Sequence, residues 1–236
     1  MTNKSTQLAL GIELSDDMTL ANYYAGDNQA ALTFLDQLCD PEATSAERLI
    51  YLWGNNGVGC SHLLQAACLQ FQLTGRNAIY LPLEELICYT PEILENLEYY
   101  DLVCLDNIEV VVGNKIWQEA LFHLFNRLRD DNKGLLIAAN VSPYNLAIEL
   151  ADLKSRLSLA LVFQLHPLSD DEKVKALKLR ASCKGIDLSD EVASFILARS
   201  NRDMGNLLAL LGQLDKASLV AKHKLTIPFV KQVFNW

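Results

Sequence analysis

Two rhythms of hydrophobic spacing divide this chain. In the first, short and continuously apolar runs alternate with longer stretches whose apolar residues recur every three or four positions. Leu49-Ile50-Tyr51-Leu52-Trp53, Ala78-Ile79-Tyr80-Leu81, Leu102-Val103-Cys104-Leu105, Gly134-Leu135-Leu136-Ile137-Ala138-Ala139 and Leu161-Val162-Phe163-Gln164-Leu165 predict five strands. Helices are predicted from Asn28 to Leu38, from Ser61 to Leu73, near 91–97 and from Lys115 to Asp130. Strands without a polar face are covered on both sides, and helices between them make them parallel. The expectation is an α/β domain with a five-stranded parallel sheet flanked by helices.

The second rhythm begins after His166-Pro167-Leu168, where no strand signal returns. Ser169 and Glu172 stand at capping-box spacing, which marks a helix start. Helices are expected at about 170–184, 189–200, 203–221 and 227–235. The chain therefore divides into a polar, flexible leader at 1–17, an α/β domain at 18–168 and a small all-helical domain at 169–236.

The first predicted strand runs into Gly54-Asn55-Asn56-Gly57-Val58-Gly59-Cys60-Ser61-His62, which has the form of a Walker A phosphate loop, G-x-x-x-x-G-K-[ST], with Cys60 in place of the lysine. Backbone N–H groups of Gly57, Gly59 and the following helix start still cradle an anion. The ammonium that reaches the terminal phosphates is gone. The loop therefore predicts a nucleotide holder with weakened chemistry, one that favours ATP less and tolerates ADP at least as well.

Other positions extend the site. Asp106 closes its strand where a Walker B acid holds Mg²⁺, with Ser61 as the second metal-side oxygen. Asn107 follows, where an ATPase carries an acid to orient water, and asparagine is no base at neutral pH. Glu109 lies at a different offset and is a poor substitute. Asn140 follows the strand at 134–139, either touching a γ-phosphate or simply closing the strand. Arg156 precedes the last strand, as a solvated surface residue or as a charge offered to another molecule's nucleotide. Arg202 precedes a long helix, as a loop arginine or as a contact to bound phosphate.

Charge and cysteine usage narrow the partners. With 29 acidic against 20 basic residues and a net charge of −9, no basic segment suits a phosphate backbone, so direct DNA binding is disfavoured and protein partners are favoured. The six cysteines show no metal or C-x-x-C spacing, which fits a reduced cytoplasmic protein. Apolar runs fall short of the roughly 20 residues of a membrane span, and nothing marks secretion. Cys60 at a helix start also raises a redox-switch idea, since such a position lowers a thiol pKa. In the leader, Gln7, Leu8, Leu10 and Ile12 place apolar residues on a polar segment, as a docking peptide does.

Together these positions resemble the AAA+ family in its DnaA-related branch, from Met18 onward. Thr19 to Asn28 is similar to the segment beside the adenine, which implies nucleotide contacts for Tyr23, Tyr24 and Asn28. Gly57 to Leu64 is similar to the branch's G-x-G-K-T-H-L-L, which adds Val58, Cys60, Ser61 and His62. Leu105-Asp106-Asn107-Ile108 resembles the Walker B strand, Asn140 the sensor 1 position, and Ser155-Arg156-Leu157 the box with the arginine finger. Asn201-Arg202-Asp203-Met204 resembles the sensor 2 segment, one residue shorter on the Asn side. Leu225 to Lys231 is typical of the short regulatory members, and the chain stops where an initiator continues into its DNA-binding domain. Gln7 to Ile12 is similar to a sliding-clamp motif, Q-L-x-L-P-L, with Gly11 where the branch has Pro or Phe.

The resemblance implies a lid for the helical domain and an ADP-bound regulator without hydrolysis of its own. With the DNA-loaded clamp (the β subunit of DNA polymerase III), it stimulates hydrolysis of ATP on DnaA and supplies Arg156 in trans. DNA is reached mainly through the clamp, no membrane is involved, and a homo-oligomer is a further option. Two other expectations stay open: an active ATPase that loads replication proteins, and a structural adaptor with a vestigial nucleotide site.

Overall fold

The computed structural model describes residues 14, 17–42, 47–221 and 223–236. Its strands are β1 (Leu49–Trp53), β2 (Ala78–Pro82), β3 (Leu102–Asp106), β4 (Gly134–Ala139) and β5 (Leu161–Gln164). They form one parallel sheet in the order β2-β3-β4-β1-β5. The connection leaving β1 runs to the far edge at β2, and later strands step back toward β1. A reversal of this kind opens a crevice at the carboxyl ends of the strands.

Alternate strand residues feed two cores, as the two-residue period requires. Tyr51, Val103, Leu105, Leu135 and Ile137 face one side. There they meet Trp117, Leu121, Leu124 and Phe125 of α4 (Lys115–Asp130). Ile50, Leu52, Leu102, Cys104, Leu136 and Ala138 face the other. They pack on α1 (Gln29–Cys39) and α2 (Cys60–Leu73) through Leu35, Leu63, Leu64 and Phe71. The central strands β3 and β4 are buried along their whole length because neither face meets water.

Three features differ from the sequence reading. The helix expected near 91–97 is two 3₁₀ turns, Pro91–Leu94 and Leu97–Tyr99. Glu95 is extended and Asn96 has a φ of 64°, which breaks the helical path. Two short helices lack a predicted counterpart, α3 (Leu83–Leu86) and α5 (Ala151–Leu157). In α5 only Leu153 and Leu157 are buried, and one such pair gives no legible period.

The C-terminal helices are α6 (Asp170–Cys183), α7 (Asp190–Arg199), α8 (Met204–Ala221) and α9 (Ile227–Phe234). Ser169 and Glu172 make the capping box that starts α6. These helices share a third core around Leu177, Ile196, Leu207, Leu211 and Val230. Buried Arg180 of α6 reaches the start of the α/β domain, donating to the Asp17 carbonyl at 2.6 Å and Asn22 Oδ1 at 2.7 Å. Lys184 pairs with the Asp17 carboxylate beside it. Among the described residues no helix is long and apolar enough to cross a membrane. The docking segment Gln7, Leu8, Leu10, Gly11 and Ile12 lies outside the described residues.

Candidate functional site

The carboxyl ends of β1, β3 and β4 open into a cavity of about 400 Å³, roofed by Met204, Gly205 and Leu208 of α8. That volume lies within the range of small-ligand sites, about 300–1,000 Å³. The loop from Gly54 to Gly59 forms its floor. Gly57 and Gly59 have φ of 84° and 102°, a region that side chains with a Cβ avoid. A Cβ on Gly59 would also lie 2.7 Å from Tyr23 Cε2. The first turn of α2 has no side-chain cap, so its N–H groups are left for an anion.

Tyr23 and His62 brace this loop from behind. The Tyr23 hydroxyl donates to the Val58 carbonyl at 3.2 Å, and Asn28 Nδ2 donates to the Tyr23 oxygen at 3.3 Å. His62 Nε2 donates to the Thr19 carbonyl at 2.9 Å, and its ring meets Tyr23 edge-on at 5.4 Å. Burial pushes the His62 pKa down to about 4, helped by the Arg180 charge. The ring is neutral at pH 7. Burial likewise pushes Tyr23 up to about 12.

The far end of the cavity is acidic. Buried Asp106 accepts from the Tyr80 hydroxyl at 2.6 Å and from the Asn107 N–H at 3.0 Å. Glu109 lines the same space, and its Oε2 is buried without a hydrogen-bond partner. Burial raises the Glu109 pKa, and the Asp106 charge adds to the shift. Burial raises the Cys60 thiol to about 12, followed by the charge on Asp106. At pH 7 Cys60 is a neutral thiol, which removes the basis of the redox idea. The helix-start effect loses to desolvation and two neighbouring acids.

Tyr23, Tyr24, Gly57, Val58, Gly59, Cys60, Ser61, His62, Asp106 and Asn140 all line the cavity. Asn28 and Arg202 do not. Asn28 is buried behind it, where its amide exchanges hydrogen bonds with the His166 backbone at 3.0 and 2.7 Å. Arg202 is exposed and held by Asp170 at 2.6 Å. Arg156 sits on α5 away from the cavity, with no ion pair among the described residues. The cavity's cationic residue is instead Arg180, missed in the sequence. Its one signal was position, since it falls in register with buried Ala176, Leu177 and Ala181, where a solvated charge does not belong.

A family model described as the bacterial DnaA ATPase domain matches residues 14–164, and one described as the Hda lid domain matches residues 170–234. Among solved structures, domain III of the replication initiation protein DnaA from Thermotoga maritima is similar at 19% identity. It covers 95% of this chain and 98% of that one, with a TM-score of 0.76. AMPPCP-bound DnaA from Aquifex aeolicus follows at 23% identity, 88% and 67% coverage and a TM-score of 0.70. The Thermotoga maritima RuvB Holliday junction branch migration motor shares 17% identity over 92% of this chain and 73% of its own, with a TM-score of 0.64.

Proposed function

Because the chain belongs to the DnaA-related AAA+ family and carries an Hda-type lid, we propose that it is a replication regulator that holds ADP and stimulates hydrolysis of ATP on DnaA. One observation carries this reading. The backbone parts of a phosphate site are complete, while the side chains that cleave are replaced by Cys60 and Asn107. A similar DnaA structure holds AMPPCP, which supports an adenine nucleotide here. Gly57 and Gly59 supply the left-handed backbone on which such a loop turns.

Ser61 and Asp106 offer the hard oxygen donors that suit Mg²⁺. Among the described residues no group of three or more His, Cys, Asp or Glu can hold a metal, and phosphate oxygens and water would complete the shell of an ion held by these two. Tyr23 and His62 fix the loop, and the α8 roof lets the nucleotide set the angle between lid and α/β domain. Arg156 enters the ATP site of DnaA, where charge supplied in trans is worth about 10³–10⁵ in rate in well-studied GTPases. Gln7, Leu8, Leu10 and Ile12 dock the chain on the DNA-loaded sliding clamp.

Arg156→Ala is expected to abolish stimulated hydrolysis of DnaA-bound ATP in the presence of clamp and DNA, with ADP and clamp binding unchanged. Undiminished stimulation would exclude the finger. Glu109 favours a second reading, an active ATPase, because a carboxyl of raised pKa in the cavity suits a general base. Turnover by the chain alone that is lost in Glu109→Gln would support that reading against the first.

A further inference from the structure

The lid sets a second carboxylate against the phosphate loop. A Cβ on Gly57 would stand 2.4 Å from Asp203 Oδ2, which places that oxygen in contact with the loop. Asp203 precedes α8, and its two oxygens do different things. Oδ1 accepts from the Asn206 N–H at 3.1 Å, which caps the helix. Oδ2 takes no part in that cap and faces Gly57.

Among the described residues no cation answers it. Arg202, the next residue, is bound to Asp170. Arg180 is committed to the Asp17 carbonyl and Asn22 at another part of the cavity wall. Cys60 supplies no charge where a loop lysine would stand. Among the described residues Asp203 has no ion pair.

We infer that Asp203 is a specificity-determining residue with which the lid selects against a third phosphate, so that the closed lid accepts ADP and disfavours ATP. The inference rests on the reading of the cavity as an adenine-nucleotide site. Asp203 is exposed at the rim beside Gly57, each added phosphate brings negative charge toward that loop, and repulsion between unit charges about 4 Å apart in water is worth about fivefold in binding. A simple helix cap would show no such preference, because an uncharged cap holds α8 equally well.

Calorimetric titration of the full chain, freed of nucleotide, with MgADP and MgATP separates these roles. In Asp203→Asn the ratio of the ATP to the ADP dissociation constant should fall about fivefold, chiefly by tighter ATP binding. Asp203→Ser, which caps by its hydroxyl, should behave alike, and Asp203→Glu should keep the original ratio. An unchanged ratio in both uncharged variants would overturn the inference while leaving the nucleotide site standing. Binding of neither nucleotide by the unmodified chain would overturn the site and the inference with it.

Discussion

Acid should unfasten the phosphate loop through His62. The ring is half-buried between Thr19 and Tyr23, with a pKa of about 4 in the folded chain. An unfolded histidine titrates near pH 6.5, about 2.5 units higher. Because the folded pKa is depressed, the stabilising effect is present above pH 6.5 and is lost as pH falls toward 4. Between pH 7.5 and pH 5 the loss attributable to this one ring is about 2 kcal/mol, approaching about 3 kcal/mol below pH 4. His62→Gln removes the titration and keeps an N–H for the Thr19 carbonyl. Urea unfolding of both chains across this pH range isolates the term, since every other group cancels in the difference. The stability advantage of the histidine chain should shrink by about 2 kcal/mol from pH 7.5 to pH 5. Difference curves that stay flat across that window would refute the assignment.

Alkylation followed by mass spectrometry should modify exposed Cys88 and Cys183 well before Cys60, whose thiol is held near 12. Gly59→Ala should cost about 1–2 kcal/mol through its left-handed backbone and further through the Tyr23 clash, with ADP binding in a titration lost before the fold melts. Gln118→Leu should lower stability by about 3 kcal/mol or more in urea. It strands the Val111 carbonyl and the N–H groups of Glu149 and Leu150, all held by this fully buried amide.

Legibility followed the range of the physics involved. Five strands and most helices were readable because each strand is a short apolar run and each helix carries its own hydrophobic period, and β4 and α4 match to the residue. The phosphate loop was readable because glycine and hydroxyl spacing is local. Arg180 was not, because its site is made by α6 meeting the Asp17–Asn22 segment more than 150 positions away. Asn28 shows the reverse failure. A family motif suggested a ligand contact, while the amide bonds the His166 backbone that follows β5. The 3₁₀ turns after Pro91 hinge on a single left-handed asparagine, which no periodicity reports.

Gln118 also bears on how the helix that carries Arg156 is held in place independently of the phosphate loop. It lies on α4 in the core, and its Oε1 accepts the N–H groups of Glu149 and Leu150 at 3.1 and 3.0 Å. Those residues lead directly into α5, the helix that carries Arg156. The arginine's helix is thus fixed by a buried amide independent of the phosphate loop. The loop in turn is fixed by Tyr23, His62 and two left-handed glycines, none of which performs hydrolysis. Positions 60 and 107 are tied to the scaffold as well: Cys60 packs against the second core, and Asn107 holds a φ of 58°, a region that asparagine enters more readily than most side chains. Changes at Gly59 or Gln118 are penalised by folding itself, whatever the loop binds.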